Sequence, residues 1–313
     1  MEFIIIVLVA ALIIFVAVLL YFFWIAFAKM KETDLENLDN RANNMLADYR
    51  EDVENGINYI RNRTHIWVET QSFDGLRLAA RYYDNNSDKT MLLFHGYRSA
   101  AARDFSCAVK MYIQLGFNVL LVDQRAHGKS EGRLITFGVK ESRDVLSWIN
   151  YVNEKLGADK IALGGMSMGA TTVLLALGLD LPKNVKCVVA DCGFTSPVDI
   201  IKIVAKKNFS VNADFFLPLL DLCCKIFGRF SIYGVSTPQA LKKSDIPVLF
   251  IHGKADGFVP CEMSQRGYDA IPERSEIVLV EGADHGLGFL VDTKNVKFRL
   301  ESFLNKNIGI NTK

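Results

Sequence analysis

The chain alternates short runs of β-branched and apolar residues with longer segments in which apolar residues recur at helical spacing. This alternation is typical of a mostly parallel sheet with helices on both faces. The predicted strands cover 65–70, 76–83, 90–94, 118–122, 160–163, 186–189, 248–251 and 276–280. The predicted helices between them cover 101–115, 137–155, 168–179, 262–271 and 292–305. The pattern therefore predicts one α/β domain over residues 63–313, built on a single eight-stranded sheet.

Two segments depart from this alternation. The first two predicted strands flank Asp74-Gly75, a pair that favours a tight turn, so we expect an antiparallel hairpin at the sheet edge. Residues 196–245 are too long for a simple crossover and are rich in Phe and Leu. We interpret this segment as a helical cap inserted over the ends of the strands.

The N-terminal pattern is different, because no charged residue occurs from Phe3 to Ala28. As a helix, such a run is long enough to cross a hydrocarbon core of roughly 30 Å, and aromatic residues crowd its C-terminal end. We predict a transmembrane anchor over residues 1–28. A cleaved signal peptide is the alternative, since Ala26-Phe27-Ala28 resembles a cleavage site, but the run lacks a basic n-region and exceeds the usual length of about 7 to 15 residues.

Residues 29–62 are polar and mixed in charge, with apolar residues at helical spacing. This pattern predicts a helical stalk or a helix packed on the domain edge. Lys29, Lys31 and Arg41 follow the apolar run, whereas only Glu2 and the α-amine precede it. The bias of basic residues predicts a single-pass membrane protein whose large C-terminal domain lies on the cytoplasmic side.

Composition narrows the classes of function. Lys and Arg number 36 against 35 Asp and Glu, with no long basic run, so no nucleic-acid partner is expected. The six cysteines lack the spacing of a disulfide framework or a zinc site, and we interpret them as buried free thiols in a reducing compartment. No Walker A loop, dinucleotide-binding glycine motif or His-Glu-x-x-His occurs, so neither cofactor nor metal is expected.

The motif that points to chemistry is Gly165-Met166-Ser167-Met168-Gly169, which follows an apolar strand and opens a helix of small and apolar residues. A strained turn that projects a serine leaves no room for side chains at the flanking positions, which explains the two glycines. The pentapeptide alone is a weak signal, but its place between strand and helix near the middle of the pattern strengthens it. We predict that Ser167 is a nucleophile.

A serine nucleophile needs a histidine as base and a carboxylate to orient it, in the chain order Ser, Asp, His for this arrangement. Of the five histidines, only His252 and His285 follow Ser167. His285 lies on a loop after the last strand and is the predicted base. Asp256, beyond the seventh strand, is the predicted acid, and Asp191, beyond the sixth, is its main rival.

Two backbone N–H groups are predicted to hold the developing oxyanion. One belongs to Met168, the residue after the nucleophile, and the other to Tyr97 in the loop beyond the third strand, where Gly96 lets the chain turn. We interpret the neighbouring His95 as a structural hydrogen-bonding residue rather than a base.

Together these residues resemble the α/β-hydrolase superfamily over nearly all of 64–306. The segment Asp123-Gln124-Arg125-Ala126-His127-Gly128-Lys129-Ser130 is similar to an architectural Asp-x-Arg-x-x-Gly-x-Ser loop in many bacterial members. The chain looks most like membrane-anchored or lipase-like bacterial esterases and the serine-aminopeptidase and prolyl-oligopeptidase-like branch. The resemblance implies a cofactor-independent serine hydrolase that acts through an acyl-enzyme.

We therefore expect hydrolysis of a carboxylic ester in a cytoplasmic catalytic domain. The apolar cap and the nearby bilayer favour an apolar acyl group or a lipid-like ester as substrate. An amidase or peptidase is the alternative, ranked lower because no acidic cluster marks a site for a substrate amino terminus. A membrane-tethered scaffold on a retired hydrolase fold is a third hypothesis, against which the intact Ser167, Asp256 and His285 speak.

Overall fold

A central sheet organises the protein, whose computed structural model describes residues 1–29 and 44–310. Within those ranges the strands are β1 (Ile66–Gln71), β2 (Arg77–Tyr83), β3 (Lys89–Phe94), β4 (Asn118–Asp123), β5 (Lys160–Met166), β6 (Val185–Asp191), β7 (Val248–Gly253) and β8 (Ser275–Val280). They form one eight-stranded sheet in the order β1-β2-β4-β3-β5-β6-β7-β8. β2 pairs antiparallel with β1 and β4, and the other neighbours are parallel. The predicted mostly parallel sheet and edge hairpin are confirmed.

The helices surround this sheet. In chain order they are α1 (Glu2–Phe27), α2 (Arg50–Asn62), α3 (Ala101–Asp104), α4 (Ser106–Gln114), α5 (Glu141–Tyr151), α6 (Met168–Ala176), α7 (Pro197–Phe209), α8 (Leu217–Cys223), α9 (Thr237–Leu241), α10 (Glu262–Asp269), α11 (Gly288–Val291) and α12 (Thr293–Ile308). Short 3₁₀ turns occupy Asn44–Tyr49, Ala213–Phe215 and Pro272–Arg274, and π-helical turns occupy Val152–Leu156 and Cys224–Gly228.

Alternate residues of the central strands serve two separate cores. Leu93 points into a core formed with α4 and α12, whereas Leu92 belongs to the core formed with α5 and α6. A sheet buried on both faces needs apolar residues at every position of its strands, and all six residues of β3 are buried. The continuous apolar runs in the sequence follow from this arrangement.

Some element ends differ from the sequence prediction. The helix predicted from residue 137 begins at Glu141, because Phe137 and Gly138 adopt positive φ angles of 52° and 93°. The Glu141 carboxylate accepts hydrogen bonds from the N–H groups of Thr136 (2.7 Å) and Gly138 (3.0 Å) ahead of the helix. β5 also runs beyond the predicted residue 163, because Gly164 and Gly165 stay paired with β3 and β6.

The segment predicted as a stalk or edge helix, 29–62, lies partly outside the described residues. Its described part includes α2, which packs against α4. The contact is closest at Gly56, where a Cβ atom would lie 2.4 Å from the carbonyl oxygen of Ser106. Only glycine permits this approach of the two helices.

The last turns of α1 are built into the domain. Phe23 and Phe27 are fully buried in a core shared with the 196–245 insert. The backbone continues this attachment, since Ile135 donates to the Phe27 carbonyl (2.7 Å) and Lys29 donates to the Arg133 carbonyl (2.9 Å). The remaining length of α1 is apolar and largely exposed, and among the described residues it is the one helix long and apolar enough to cross a membrane.

Candidate active site

Ser167 lies at the turn between β5 and α6, with an unfavourable backbone φ of 53°. The flanking glycines make this turn possible. A Cβ at Gly165 would lie 2.3 Å from the Gly169 carbonyl oxygen, and one at Gly169 would lie 1.8 Å from the Phe94 carbonyl oxygen. Such backbone strain costs on the order of 1 to 3 kcal/mol and persists where the surrounding structure enforces it. The motif is therefore a strand-to-helix elbow that projects the serine from the sheet edge.

The three predicted catalytic side chains meet at this edge. The Ser167 hydroxyl donates to His285 Nε2 over 2.9 Å, and His285 Nδ1 donates to Asp256 Oδ2 over 2.7 Å. The Asp256 side chain is fully buried, whereas that of His285 keeps 18% of its surface exposed. Residues from three loops thus form one continuous hydrogen-bonded chain that ends in a buried carboxylate.

The Asp256 carboxylate is held in its charged form by donors on both oxygens. Burial would by itself raise the pKa of Asp256, but hydrogen bonds from His252 and His285 hold that pKa well below its ordinary value. The N–H groups of Phe258 (2.8 Å) and Val259 (2.7 Å) donate to its second oxygen. A carboxylate with this many donors stays ionised and can stabilise an imidazolium.

His252, a rival base by its place after Ser167 in the chain, is also a member of this network. It is fully buried at the end of β7, and its Nε2 donates to Asp256 Oδ2 (3.1 Å) and to the Val259 carbonyl (2.9 Å). Its Nδ1 accepts a hydrogen bond from the Ser264 hydroxyl (2.7 Å). Both ring nitrogens are occupied, so His252 orients Asp256 rather than serving as a base. In the sequence, the sign of this role was the position of His252 four residues before Asp256.

Asp284 joins the loop of the acid to the loop of the base. Its Oδ1 accepts hydrogen bonds from the N–H groups of Gly257 (2.9 Å) and His285 (2.7 Å). The loops also approach closely at Gly253, where a Cβ would lie 2.2 Å from the Ala283 carbonyl oxygen. These contacts fix the separation of Asp256 and His285.

Asp191, the rival acid, lies at the end of β6 and does not hydrogen-bond to the base. Its Oδ1 is buried with no hydrogen-bond partner among the described residues. Burial raises the pKa of Asp191 to about 6, against an opposing effect of His252 and His285. The structure therefore brings Asp256, and not Asp191, into contact with His285.

The predicted oxyanion donors flank Ser167. Met168 begins α6, directly after the serine. Gly96 lies so close that a Cβ there would be 3.5 Å from Ser167 Cβ, which brings the following residue, Tyr97, beside the nucleophile. The loop is fixed on both sides of Tyr97, because Gly96 N–H donates to Asp104 (2.7 Å) and Arg98 N–H donates to His127 Nε2 (3.0 Å).

His95 and the loop at 123–130 support the loop that contains Gly96 and Tyr97. His95 is fully buried, donates from Nδ1 to the Gly96 carbonyl (2.7 Å) and accepts from Gln124 N–H (3.2 Å). Arg125 forms a buried ion pair with Asp144 at 2.6 Å. These residues have structural roles, as the sequence analysis proposed for His95.

The side chain of Tyr97 points toward the N-terminal helix. Its hydroxyl donates to the Ala26 carbonyl over 2.8 Å, and its ring stacks on Phe137 at 5.2 Å. The Arg98 guanidinium also donates to the Ile25 carbonyl at the end of α1. The loop that carries a predicted oxyanion donor is therefore bonded to the last turn of α1.

A cavity of about 440 Å³ opens beside Ser167 and His285. It extends between the sheet and the α4 and α12 helices, and α2 contributes Val53 to its wall. The insert, expected to form the binding site for an apolar group, contributes only Lys207.

Cys192, Asp256 and His285 form a cluster whose ligand atoms lie within 4.8 Å of one another. Two of these residues belong to the chain that ends at Ser167. Burial raises the pKa of the Cys192 thiol well above its ordinary value, so it stays protonated. Since His285 is hydrogen-bonded to both Asp256 and Ser167, this cluster fits nucleophilic chemistry.

Comparison with known proteins agrees with the fold. Residues 89–218 match the family profile of the alpha/beta hydrolase fold. The uncharacterized protein YqkD of Bacillus subtilis is 25% identical over 71% of this chain and 72% of its own. The solved esterase Pf2001 of Pyrococcus furiosus is 26% identical, with a TM-score of 0.65 over 80% of this chain and 95% of that one. An esterase of Exiguobacterium antarcticum shares the fold at 20% identity, with a TM-score of 0.56 over 76% and 99% of the two chains.

The sheet order, the serine elbow and the adjoining His–Asp pair define a hydrolase of the α/β class. The chain has the α/β-hydrolase fold, as the family profile over residues 89–218 and the similarity to the esterase Pf2001 agree.

Proposed function

We propose that this protein is a serine hydrolase that cleaves carboxylic esters through a covalent acyl-enzyme. The observation that carries the proposal is the continuous chain from Ser167 through His285 to Asp256, with heavy-atom distances of 2.9 and 2.7 Å. These distances lie within the range needed for proton transfer between a nucleophile and its base. The esterase activity named for the structural neighbours supports the same class of reaction.

The first half of the reaction transfers the acyl group to the serine. Ser167 Oγ attacks the ester carbonyl carbon, and its proton passes to His285 Nε2. The N–H groups of Tyr97 and Met168 donate to the oxyanion of the tetrahedral intermediate. His285 then gives the proton to the departing alkoxide as the ester C–O bond breaks, which leaves the acyl group on Ser167.

The second half returns the enzyme to its starting state. His285 takes a proton from water as the water oxygen adds to the acyl carbon, and the carboxylic acid is released when Ser167 recovers the proton. An imidazolium forms in both halves, and the Asp256 carboxylate stabilises it each time. The depressed pKa of Asp256 keeps this carboxylate charged throughout the neutral range.

The test compares the full chain in detergent micelles with its Ser167→Ala variant. We expect wild-type protein to release p-nitrophenol from p-nitrophenyl acetate and the variant to lose at least about 10⁴-fold in kcat. Labelling by a fluorophosphonate probe, lost in the variant, reports the nucleophile without reference to substrate. Undiminished hydrolysis by the variant would contradict the assignment of Ser167. Labelling without hydrolysis of any ester would overturn the ester class, and p-nitroanilide substrates then test the amidase alternative.

We also propose that α1 is an uncleaved anchor that holds the hydrolase domain at the cytoplasmic face of a membrane. Cleavage after Ala28 would remove Phe23 and Phe27 from the core and break the hydrogen bond from Ile135 to Phe27 (2.7 Å). A segment on which the domain packs is a poor candidate for removal. The basic Lys29 at the end of the span supports the cytoplasmic orientation.

The insert supports membrane attachment through its exposed apolar side chains. Phe215 is 71% exposed, and Phe209 and Ile226 are 54% and 63% exposed. The surface continues along α1, since the ring of Phe209 contacts Phe22 at 5.3 Å. A contiguous apolar surface beside a span of membrane length is suited to lipid.

Intact mass and protease accessibility test the membrane proposal. Protein purified from membranes should retain residues 1–28, and protease should reach the domain in inside-out vesicles only. A mature chain beginning after Ala28, or digestion in right-side-out vesicles, would overturn the anchor or its orientation respectively.

A further inference from the structure

We infer that the cavity beneath the sheet edge binds an apolar acyl group of the substrate, and that α2 rather than the insert limits its length. This inference rests on the proposed ester hydrolysis and goes on to name the substrate class and the residues that select it. The cavity has a volume of about 440 Å³, and its lining includes Ser167, His285, Val53 and Leu300.

The register of β5 and β6 gives the cavity its direction. Met166 pairs with Asp191 and lies next to Ser167, whereas Gly164 pairs with Val189 two residues earlier along the strands. Two residues along a strand correspond to about 6.6 Å. Both pairs contribute to the lining, so the cavity runs from the nucleophile down the face of the sheet.

The chemistry of the lining changes along this direction. Near the nucleophile it includes the Asp191 carboxyl and the ion pair of Arg103 with Asp104 (3.5 Å). Further along, the sheet contributes Gly164 and Val189, and α12 contributes Leu300. Val189 and Leu300 are only 5% and 2% exposed. Apolar walls of this kind favour an apolar occupant, because a polar one would lose its hydrogen bonds to water.

One wall of the cavity comes from a helix that precedes the hydrolase domain. Val53 of α2 is 3% exposed and lines the cavity. Its helix is held against α4 by the close contact of Gly56 with the Ser106 backbone. A wall fixed in this way sets a limit on the length of a bound chain.

The order of events in catalysis favours the acyl group over the alcohol as occupant. The alcohol must leave before water attacks, whereas the acyl group stays bonded to Ser167 through both halves of the reaction. An alcohol in this cavity would have to leave past the acyl group that remains on Ser167. The acyl group can occupy the cavity without meeting this obstacle.

The experiment measures kcat/KM of the full chain for p-nitrophenyl esters from acetate to dodecanoate. Leu300→Ala enlarges the cavity and should move the optimum to longer acyl groups. Leu217→Ala is the matched control, because Leu217 is the same residue type, also 2% exposed, but lies in the insert. It should leave the optimum where the parent has it. A shift caused by Leu217→Ala and not by Leu300→Ala would overturn the inference in favour of the insert.

Val53→Phe provides the opposite change at the α2 wall. We expect it to lower kcat/KM for the longest ester the parent accepts by at least about tenfold, a typical effect of altered fit in an apolar pocket. A thermal unfolding transition like that of the parent shows that the variant is folded, and the ratio of kcat/KM for the long ester to kcat/KM for acetate is the readout. An unchanged length profile in both Val53→Phe and Leu300→Ala would contradict the inference.

A second series separates the acyl site from an alcohol site. Here the acyl group is acetate and the alcohol lengthens from ethyl to octyl. Val53→Phe could change the dependence of kcat/KM on alcohol length but not its dependence on acyl length. That result would assign the cavity to the alcohol and overturn the acyl assignment. Loss of Ser167-dependent hydrolysis of every ester, acetate included, would instead refute the proposed function.

Discussion

The loops after β6 and β7 each carry a carboxylate to the same edge of the sheet, yet the two carboxylates have opposite environments. Asp256, after β7, accepts hydrogen bonds from His252, His285 and two backbone N–H groups, and its pKa is depressed. Asp191, after β6, leaves Oδ1 without a partner among the described residues, and burial raises its pKa to about 6.

Asp256 combines two features that Asp191 lacks, namely contact with His285 and a set of donors that keeps the carboxylate charged. The β7 loop folds back so that Phe258 and Val259 direct their N–H groups at Asp256. Asp191, the last residue of β6, has no donor to Oδ1 among the described residues. A carboxylate that must stabilise an imidazolium has to be charged before the imidazolium forms, and Asp256 meets this condition more fully.

The largest expected effect is that of Asp256→Asn. The substitution preserves shape but removes the charge and the acceptor that fixes the His285 tautomer, so we expect kcat to fall about 10⁴-fold. Steady-state hydrolysis of p-nitrophenyl acetate measures it. If Asp256→Asn kept most of the activity and Asp191→Asn lost it, the roles assigned to the two loops would be reversed.

A smaller effect is expected from His252→Leu, which removes a buried donor to Asp256. A hydrogen bond to a charged group contributes about 1.5 to 3 kcal/mol, so kcat should fall roughly 10- to 100-fold with KM nearly unchanged. Ser264→Ala is the control, because it frees the His252 ring (Ser264 Oγ to Nδ1, 2.7 Å) but leaves the donor to Asp256 in place. An equal loss in both variants would point to general disruption of the loop.

The smallest effect on catalysis is expected from Asp191→Asn, which removes no hydrogen bond to His285. Its kcat on acetate should stay within about threefold of the parent. Stability should respond to pH instead. With a pKa of about 6 against 3.8 in the unfolded chain, the folded protein binds more protons in that window. The stability contributed by Asp191 therefore falls as pH rises from 3.8 to about 6.

Denaturant unfolding of the Asp191→Asn variant at several pH values checks this. Its stability relative to the parent should increase across the window and level off above it. Asp256 acts in the opposite sense, because its depressed pKa contributes stability above 3.8 that is lost as pH falls below that value. A relative stability that is flat between pH 4 and 6 would contradict the difference between the two loops.

The sequence was sufficient for features that depend on local pattern. Strand runs such as 90–94 and 248–251 lie inside β3 and β7, because strands buried on both faces read as continuous apolar runs. The elbow was predictable because its two glycines are required by the turn itself. Chain order then reduced the candidates for the base to two histidines.

Features that depend on the assembly of distant segments were not predictable. The cavity takes its wall from α2, β5, β6 and α12, which no single pattern connects. The apolar content of α1 predicts a span but not that Phe23 and Phe27 are buried against the domain. Asp256 was predicted over Asp191, but the backbone N–H groups of Phe258 and Val259 that hold its charge were not, because sequence alone does not orient the backbone.

Under the proposed membrane attachment, the hydrogen bond from the Tyr97 hydroxyl to the Ala26 carbonyl gives α1 a second role. Shedding of the domain from the membrane by a protease acting near Ala28 would remove this bond and the support it gives to the oxyanion loop. Release of the domain from the membrane and loss of its activity would then occur together. Activity would be confined to protein molecules that keep α1. A soluble fragment prepared without α1 is accordingly expected to understate the activity of the full chain.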